Sequence, residues 1–328
     1  MSGQIRRSGA AGPRSASRDT GKHLDQVQHA TARDSMKVED QPSSCGSRPT
    51  RRTKVEMGAI RAAMHTTLQE IQPATVRQLY YQLVSRGVVG KTETEYKSTV
   101  GRLLTEMRRD GTIPFGWVAD NTRWMRKPDS YTGLEQMLAE TRGTYRRALW
   151  ASQSVHVEVW LEKDALAGVL YPETAEWDVP LMVTRGYPSL SYLYEASETI
   201  RAKGKPVFIY YLGDHDPSGV NIPQVVERDL RSMAPGAEIT FERLAVLPEQ
   251  IVSMGLPTRP TKKSDTRSKN FEGESVEVDA IPPAVLRNLV NERITGHINW
   301  QALTRLWAVE EAERGTLDRI IAGLGGAA

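Results

Sequence analysis

The sequence predicts an α/β protein in which a basic helical module precedes a domain built on a parallel β-sheet. Two patterns support this prediction. Residues 56–125 carry helical periodicity and helix-capping signals. Residues 151–300 instead alternate short apolar strands with amphipathic helices, which is the pattern of parallel sheets with helical crossovers.

The composition indicates a globular protein with more than one domain. The chain has 328 residues, of which 39% are hydrophobic and 25% charged. No apolar run approaches the ~20 residues that a membrane-spanning helix needs. The single cysteine, Cys45, has no partner for an internal disulfide. We therefore expect no membrane association and a cytoplasmic location.

Positive charge is concentrated near the N-terminus. Residues 1–55 are rich in Ser, Gly, Arg and Gln and are predicted to be a disordered tail. They hold 11 of the 43 Lys/Arg and 5 of the 40 Asp/Glu, so the remaining residues hold 32 and 35. The pI near 8.9 therefore reflects the tail and does not by itself indicate nucleic-acid binding. Residues 71–126 are an exception, with nine basic and five acidic residues.

Three helices and a short extended pair are predicted for residues 56–125. Thr75 and Gln78 form a capping box ahead of VRQLYYQLVSR, and Gly87 ends that helix. A second capping box precedes YKSTVGRLLTEMRRDG, and TIPFGWVAD is predicted to form the extended pair. A basic third helix followed by such a pair predicts a winged-helix DNA-binding domain, although a generic helical bundle has the same pattern. The candidate DNA-binding residues of the third helix are Lys97, Arg102, Arg108 and Arg109.

The rest of the chain divides into a connector, the sheet domain and a final helix. Residues 126–150 are predicted to be a helical connector, and residues 301–328 a C-terminal helix. Between them, the predicted strands are VHVEVWL, PLMV, PVFIYYL and AEITFERLAV.

Three acidic residues follow two of these strands. Glu162 comes after the first strand, and Asp214 and Asp216 come after the third. The carboxyl ends of parallel strands share one edge of the sheet, where ligands bind, so the three carboxylates should converge there. Like charges in one small volume need a cation, and carboxylate oxygens suit Mg²⁺. The alternative is that the Asp-x-Asp pair only caps a helix in a turn.

Four motifs together resemble a known family. RQLYY, WLEK, TRGYPS and GDHDPSG are similar to segments of the A subunit of type IIB topoisomerases (topoisomerase VI) and of the related meiotic double-strand-break transesterases. The resemblance covers roughly residues 60–295, and the short chain suits a compact phage or mobile-element branch. It implies a winged-helix domain followed by a Toprim-like domain. It also implies a homodimer, in which the tyrosine of one subunit works with the metal of the other, and a separate ATPase or accessory subunit.

The resemblance matches Tyr81 to the attacking tyrosine and Arg77 to the arginine that assists it. The apolar stripe of this helix includes Leu79, Tyr80 and Leu83, and Tyr81 lies about 140° from it. We therefore expect Tyr81 to face outward, with Arg77 one turn earlier on the same side. A neighbouring cation would favour the phenolate, which is the stronger nucleophile.

The function predicted from the sequence is Mg²⁺-dependent DNA strand cleavage by tyrosine transesterification. One alternative is a Toprim-type hydrolytic nuclease that does not use Tyr81, and another is a non-catalytic DNA-binding protein. His215 is predicted to point away from the aspartates on either side of it. Glu277 and Asp279 are predicted to alternate on a strand, from which they could add a further acid.

Overall fold

A computed structural model describes residues 52–119, 128–260, 271 and 273–325. They belong to one compact unit, Arg52–Ala328. Nearly all of the predicted tail lies outside the described residues, but the first helix already begins at Lys54, inside its predicted limit. Across the described ranges, no helix combines the length and the apolar character needed to cross a bilayer.

The first two helices begin with side-chain caps. Helix α1 spans Lys54–Ile71, and α2 spans Val76–Ser85. The predicted capping box at Thr75 is present, with both reciprocal hydrogen bonds to Gln78. After α2 the chain turns at Gly87, whose φ of 69° is the left-handed conformation that glycine adopts without strain.

The third helix starts as a π-helix, Glu95–Gly101, and continues as the α-helix α3, Arg102–Arg109. The extended pair predicted after it does not form in residues 112–119. These residues contain a 3₁₀ turn, Phe115–Trp117, and a single bridge between Ala74 and Val118. The chain here pairs with the segment joining α1 to α2 and not with itself. The rest of the predicted pair, with residues 120–125, lies outside the described residues.

The sheet has four parallel strands in the order β2-β1-β3-β4, which confirms the predicted α/β class. Strands β1 and β3 are central and almost fully buried, as their continuous apolar sequences predict. The strands are β1 His156–Leu161, β2 Leu181–Val183, β3 Val207–Leu212 and β4 Ile239–Ala245. The crossover helices are α5 Ala167–Glu176, α6 Leu190–Lys203 and α7 Pro217–Met233.

Apolar side chains cover both faces of the sheet. On one face, Trp160 and Tyr211 pack against α6 and α7 in a core that also contains Ile200, Ile222 and Val226. The other face belongs to a larger core shared with α1 to α3, α5 and α9, the last spanning Pro283–Thr295. The N-terminal helices therefore share one apolar core with the sheet, and α2 contacts the 3₁₀ turn Val278–Ala280.

Two further helices lie outside the sheet layers and pack against each other. Helix α4, Leu134–Thr144, follows the gap between residues 119 and 128, and α10, Trp300–Gly325, ends the described chain. An ion pair joins the two helices, with Arg142 Nε 3.0 Å from Asp318 Oδ1. The remaining helix, α8, spans Pro248–Ser253 and follows β4.

Candidate functional site

Glu162 and Asp214 lie together at the carboxyl edge of the sheet. Glu162 directly follows β1, and Asp214 is the second residue after β3. The Oε2 atom of Glu162 accepts a hydrogen bond of 3.1 Å from the backbone N–H of Asp214. This closeness follows from the pairing of β1 with β3, which brings the ends of both strands to the same level.

Asp216 performs the helix-capping role that the sequence left open. Its Oδ1 atom accepts a hydrogen bond of 2.7 Å from Gly219 N–H at the start of α7. Its Oδ2 atom lies 3.8 Å from Arg259 Nη2. Among the described residues, no three His, Cys, Asp or Glu side chains are arranged so that they could hold a metal ion. The predicted triad is therefore present as a close pair, Glu162 and Asp214, with Asp216 beside it.

Two glycines make this edge possible because the backbone approaches other groups closely. A Cβ atom at Gly213 would lie 2.5 Å from Glu162 Oε2. A Cβ atom at Gly219 would overlap the carbonyl oxygen of Asp214. The glycines of the GDHDPSG segment are thus required by the position of the two acids.

Lys163 brings two further acids to the edge. Its Nζ atom lies 3.0 Å from Asp214, 3.2 Å from Glu277 and 2.9 Å from Asp279. Backbone hydrogen bonds of 2.8 and 2.9 Å between His215 and Val276 hold the segment that contains Glu277 and Asp279, here called the acidic segment, beside the sheet. The candidate site therefore contains four close acids and a central lysine.

The sequence prediction for this acidic segment was only partly right. Val276 forms an isolated bridge and the chain then enters the 3₁₀ turn Val278–Ala280, so Glu277 and Asp279 do not alternate on a continuous strand. Both acids nevertheless face Lys163. Lys163 was not singled out, although its place directly after Glu162 in WLEK is the signal that could have identified it.

Burial controls the protonation of the close acid pair. Burial raises the pKa of Glu162 to about 7, and the charge of Asp214 adds to this effect. Burial also raises the pKa of Asp214, whereas Lys163 and the N–H of Val278 act in the opposite direction. Negative charge at this pair is therefore only partly balanced by the surrounding protein.

Glu277 differs because several cations surround it. Burial acts to raise its pKa, but the charges of Lys163, Arg77 and Arg259 outweigh this and hold the pKa below its usual value. The Nη1 atom of Arg77 contacts both oxygens of Glu277, at 3.0 and 2.8 Å. Glu277 is thus an ionised link between α2 and the acidic edge.

Tyr81 is buried, with 3% of its surface exposed, so the prediction that it faces outward is wrong. Helical periodicity identifies only one apolar face of α2. The helix also contacts the Val278–Ala280 turn, and Lys91 covers Tyr81, with its Nζ 5.6 Å from the centre of the Tyr81 ring. Burial raises the pKa of Tyr81 to about 12, and Glu277 adds to it. The positive charge of Arg77 opposes this rise.

Tyr80 has a structural environment. It is 5% exposed, and its hydroxyl donates a hydrogen bond of 3.1 Å to the carbonyl of Thr92. Its ring packs at 5.3 Å against that of Tyr96. This arrangement agrees with the prediction that Tyr80 is part of the core.

A cavity of about 580 Å³ connects the helical module with the acidic edge. Arg77 and Tyr96 line it on the helical side, and Lys163, Asp214 and Glu277 line it on the sheet side. Charges of both signs therefore surround a space large enough for part of a nucleotide.

Arg108 is the predicted DNA-binding residue that lines this cavity. Its guanidinium lies 4.6 Å from the centre of the exposed Phe115 ring. Lys97 pairs with Glu93, and Arg102 pairs with Glu106, both on the exposed surface. Arg109 is also exposed.

His215 lies between the two aspartates in sequence but packs elsewhere. Its ring is 5.1 Å from that of Phe271, and burial lowers its pKa. The contact with Phe271 indicates a packing role for His215.

Comparison with known proteins adds no family assignment. No protein-family model matches the chain, and no curated protein matches it. The similarity of the four motifs to topoisomerase VI A subunits therefore stays a prediction.

Proposed function

We propose that this chain is a Mg²⁺-dependent enzyme that cleaves DNA strands by transesterification, with Tyr81 as the nucleophile. The main support for this proposal is that neighbouring side chains connect Tyr81 with the acidic edge of the sheet. The charge of Arg77 acts on Tyr81, Arg77 pairs with Glu277, and Lys163 joins Glu277 to Asp214. Cations suited to phosphate, Arg77 and Lys163, thus line one cavity together with the acids Asp214 and Glu277, and Tyr81 lies one helical turn after Arg77.

The residues at the edge fit Mg²⁺ in number and kind. Mg²⁺ is commonly held by one or two carboxylates and keeps several of its water ligands. Glu162 and Asp214 would supply the two carboxylates, and Asp216 lies close enough for its charge to act on Glu162. Burial and the charge of Asp214 raise the pKa of Glu162, and a divalent cation would balance the negative charge of the two carboxylates. When bound, the ion would stabilise charge on the phosphate and on the leaving oxygen.

Arg77 would activate the nucleophile. Burial raises the pKa of Tyr81, and the positive charge of Arg77 opposes this rise and so favours the phenolate over the neutral phenol. In the proposed step, the phenolic oxygen loses its proton and forms a bond to phosphorus while the bond to the 3′ oxygen breaks. The 3′ oxygen takes up a proton, and the protein stays joined to the 5′ phosphate.

We also propose a Toprim-like sheet domain in residues 151–300 and a winged-helix domain in residues 56–125. The parallel sheet with acids at its carboxyl edge supports the first. The second depends on the three helices and on the basic residues of α3 and its π-helical start, which we propose bind DNA: Lys97, Arg102, Arg108 and Arg109. A homodimer, a separate ATPase or accessory subunit and a cytoplasmic location complete the proposal.

A hydrolytic nuclease is the second candidate, and the burial of Tyr81 favours it. With 3% of the residue exposed, a DNA phosphate reaches the phenol only if Lys91 or the neighbouring helix moves. Hydrolysis would use the same edge acids with water as the nucleophile.

One experiment separates the two candidates. Full-length protein is incubated with supercoiled plasmid and Mg²⁺, denatured, and run on a gel with and without protease. Transesterification predicts cleaved DNA that enters the gel only after proteolysis, and predicts its loss in Tyr81→Phe. Tyr80→Phe is the matched control and should keep the activity. Cleaved DNA that needs no protease and persists in Tyr81→Phe would establish hydrolysis instead.

A further inference from the structure

Lys163 is bound by three carboxylates at once. Its Nζ atom contacts Asp214 Oδ1, Glu277 Oε2 and Asp279 Oδ2 at distances of 3.0, 3.2 and 2.9 Å. An ammonium group has three N–H donors, so each donor can be directed at a different acid. The side chains of Asp214, Glu277 and Asp279 are only 10%, 6% and 1% exposed. A single positive charge therefore lies at the centre of three buried negative charges.

The three acids depend on Lys163 to different degrees. Glu277 also pairs with Arg77 and Arg259, at 2.8 and 3.1 Å. Within the described residues, Lys163 is the one cation within 4.0 Å of the carboxylates of Asp214 and Asp279. Removing its charge would leave both of these buried acids without a counter-ion, which is strongly unfavourable.

The contacts of Asp214 indicate how this arrangement relates to the metal edge. Lys163 Nζ and Val278 N–H both contact the same oxygen, Oδ1. The other oxygen, Oδ2, takes part in neither contact. Asp214 can therefore bridge two cations, with the lysine ammonium on one side and an ion shared with Glu162 on the other. A carboxylate placed in this way is typical of two-metal sites, in which the ions lie about 3.5–4 Å apart.

We propose that Lys163 is a built-in cation that takes the place of a second divalent ion, so that the edge binds one Mg²⁺ and not two. This inference rests on the proposed function, because it assumes that Glu162 and Asp214 bind the first ion. Lys163 is a positioning residue in this proposal. It orients the carboxylate of Asp214 and supplies a permanent charge that does not depend on the Mg²⁺ concentration.

The proposal predicts that a neutral side chain at position 163 opens a second ion site. The three acid oxygens now lie 2.9–3.2 Å from the ammonium nitrogen. Oxygen ligands lie about 2.0–2.1 Å from Mg²⁺ and about 2.3–2.6 Å from Ca²⁺, so the side chains need to move inward by about 1 Å. Oxygen-only ligand sets of this kind suit Mg²⁺, Ca²⁺ and Mn²⁺.

Titration of the full chain with Mn²⁺, followed by electron paramagnetic resonance of the free ion, tests this directly. The wild-type protein should bind one Mn²⁺ per chain, and Lys163→Met should bind two. Lys163→Arg keeps the charge and should bind one. The double variant Lys163→Met/Asp279→Asn loses an acid of the new site and should return to one.

Each other outcome has a separate meaning. Two ions in the wild-type protein, or one in folded Lys163→Met, would overturn the inference while leaving the proposed function intact. No ion in the wild-type protein would overturn the metal edge itself. If Lys163→Met does not fold in metal-free buffer, it should refold with MnCl₂ but not with NaCl of equal ionic strength. An equal response to both salts would contradict the inference.

Discussion

Replacing Glu162 with glutamine should stabilise the metal-free protein, and the gain should depend on pH. Burial, together with the charge of Asp214, makes the ionised form of Glu162 unfavourable in the folded state. Glutamine has the same shape and can still accept the hydrogen bond from the N–H of Asp214, but it carries no charge. The substitution therefore removes an electrostatic penalty and keeps the local contact.

The size of the gain follows from the pKa of Glu162. In the unfolded chain the carboxyl titrates near 4.5, and in the folded protein near 7. At about 1.4 kcal/mol per pKa unit, this difference corresponds to a penalty of up to about 3 kcal/mol. Below pH 4.5 the group is protonated in both states and no penalty exists. Between pH 4.5 and 7 the unfolded chain loses its proton first, so stability falls as the pH rises, and above pH 7 the full penalty remains.

Urea unfolding followed by tryptophan fluorescence, in buffer with EDTA, measures this effect. The two proteins should have similar unfolding free energies at pH 4.5, and Glu162→Gln should be more stable by up to about 3 kcal/mol at pH 8. The exposed Glu238→Gln is the control and should follow the wild-type protein. Added Mg²⁺ should stabilise the wild-type protein at pH 8 but not Glu162→Gln. A constant difference between the two proteins across this pH range would refute the reasoning.

Three further predictions concern the residues around the edge. Gly219→Ala should lower the unfolding free energy by about 1–3 kcal/mol, because its Cβ would overlap the carbonyl of Asp214. The control Ser232→Ala, at an exposed position in the same helix, should leave the unfolding free energy unchanged. Urea unfolding of the two variants measures this difference. Arg77→Met should lower the unfolding free energy by about 1–3 kcal/mol at pH 7, because ionised Glu277 loses a paired cation. The loss should shrink as the pH falls through the lowered pKa of Glu277, since protonated Glu277 no longer needs the cation. An equal loss of unfolding free energy at pH 3 and pH 7 would contradict this. Asp214→Asn should abolish Mg²⁺-dependent plasmid cleavage, whereas Asp229→Asn, which changes a half-buried acid paired with Arg228 outside the candidate site, should keep it. Retained activity in Asp214→Asn would exclude the metal edge.

The edge acids were predictable because their positions depend on a general property of parallel sheets. Glu162 and Asp214 each follow a central strand, and parallel pairing brings the ends of such strands together whatever the rest of the sequence is. The capping box of Thr75 and Gln78 was predictable for a similar reason, since it depends only on residues three apart.

Other features could not be predicted because they depend on long-range packing. The helical periodicity of α2 identifies one apolar stripe, but Tyr81 is buried on another side by a turn about 200 residues away in sequence. Glu277 and Asp279 reach Lys163 from an irregular segment, whose direction no periodicity specifies. The role of Asp216 was open because capping a helix and binding a metal require the same residue type in the same turn.

We propose above that Glu162 and Asp214 together bind one divalent cation at the edge of the sheet. Anomalous diffraction from crystals soaked in MnCl₂ tests it most directly. We expect one strong anomalous peak in contact with carboxylate oxygens of both Glu162 and Asp214, and no peak at the position of the Lys163 ammonium. A map with no peak at this edge, or with a peak that Glu162 does not contact, would contradict it.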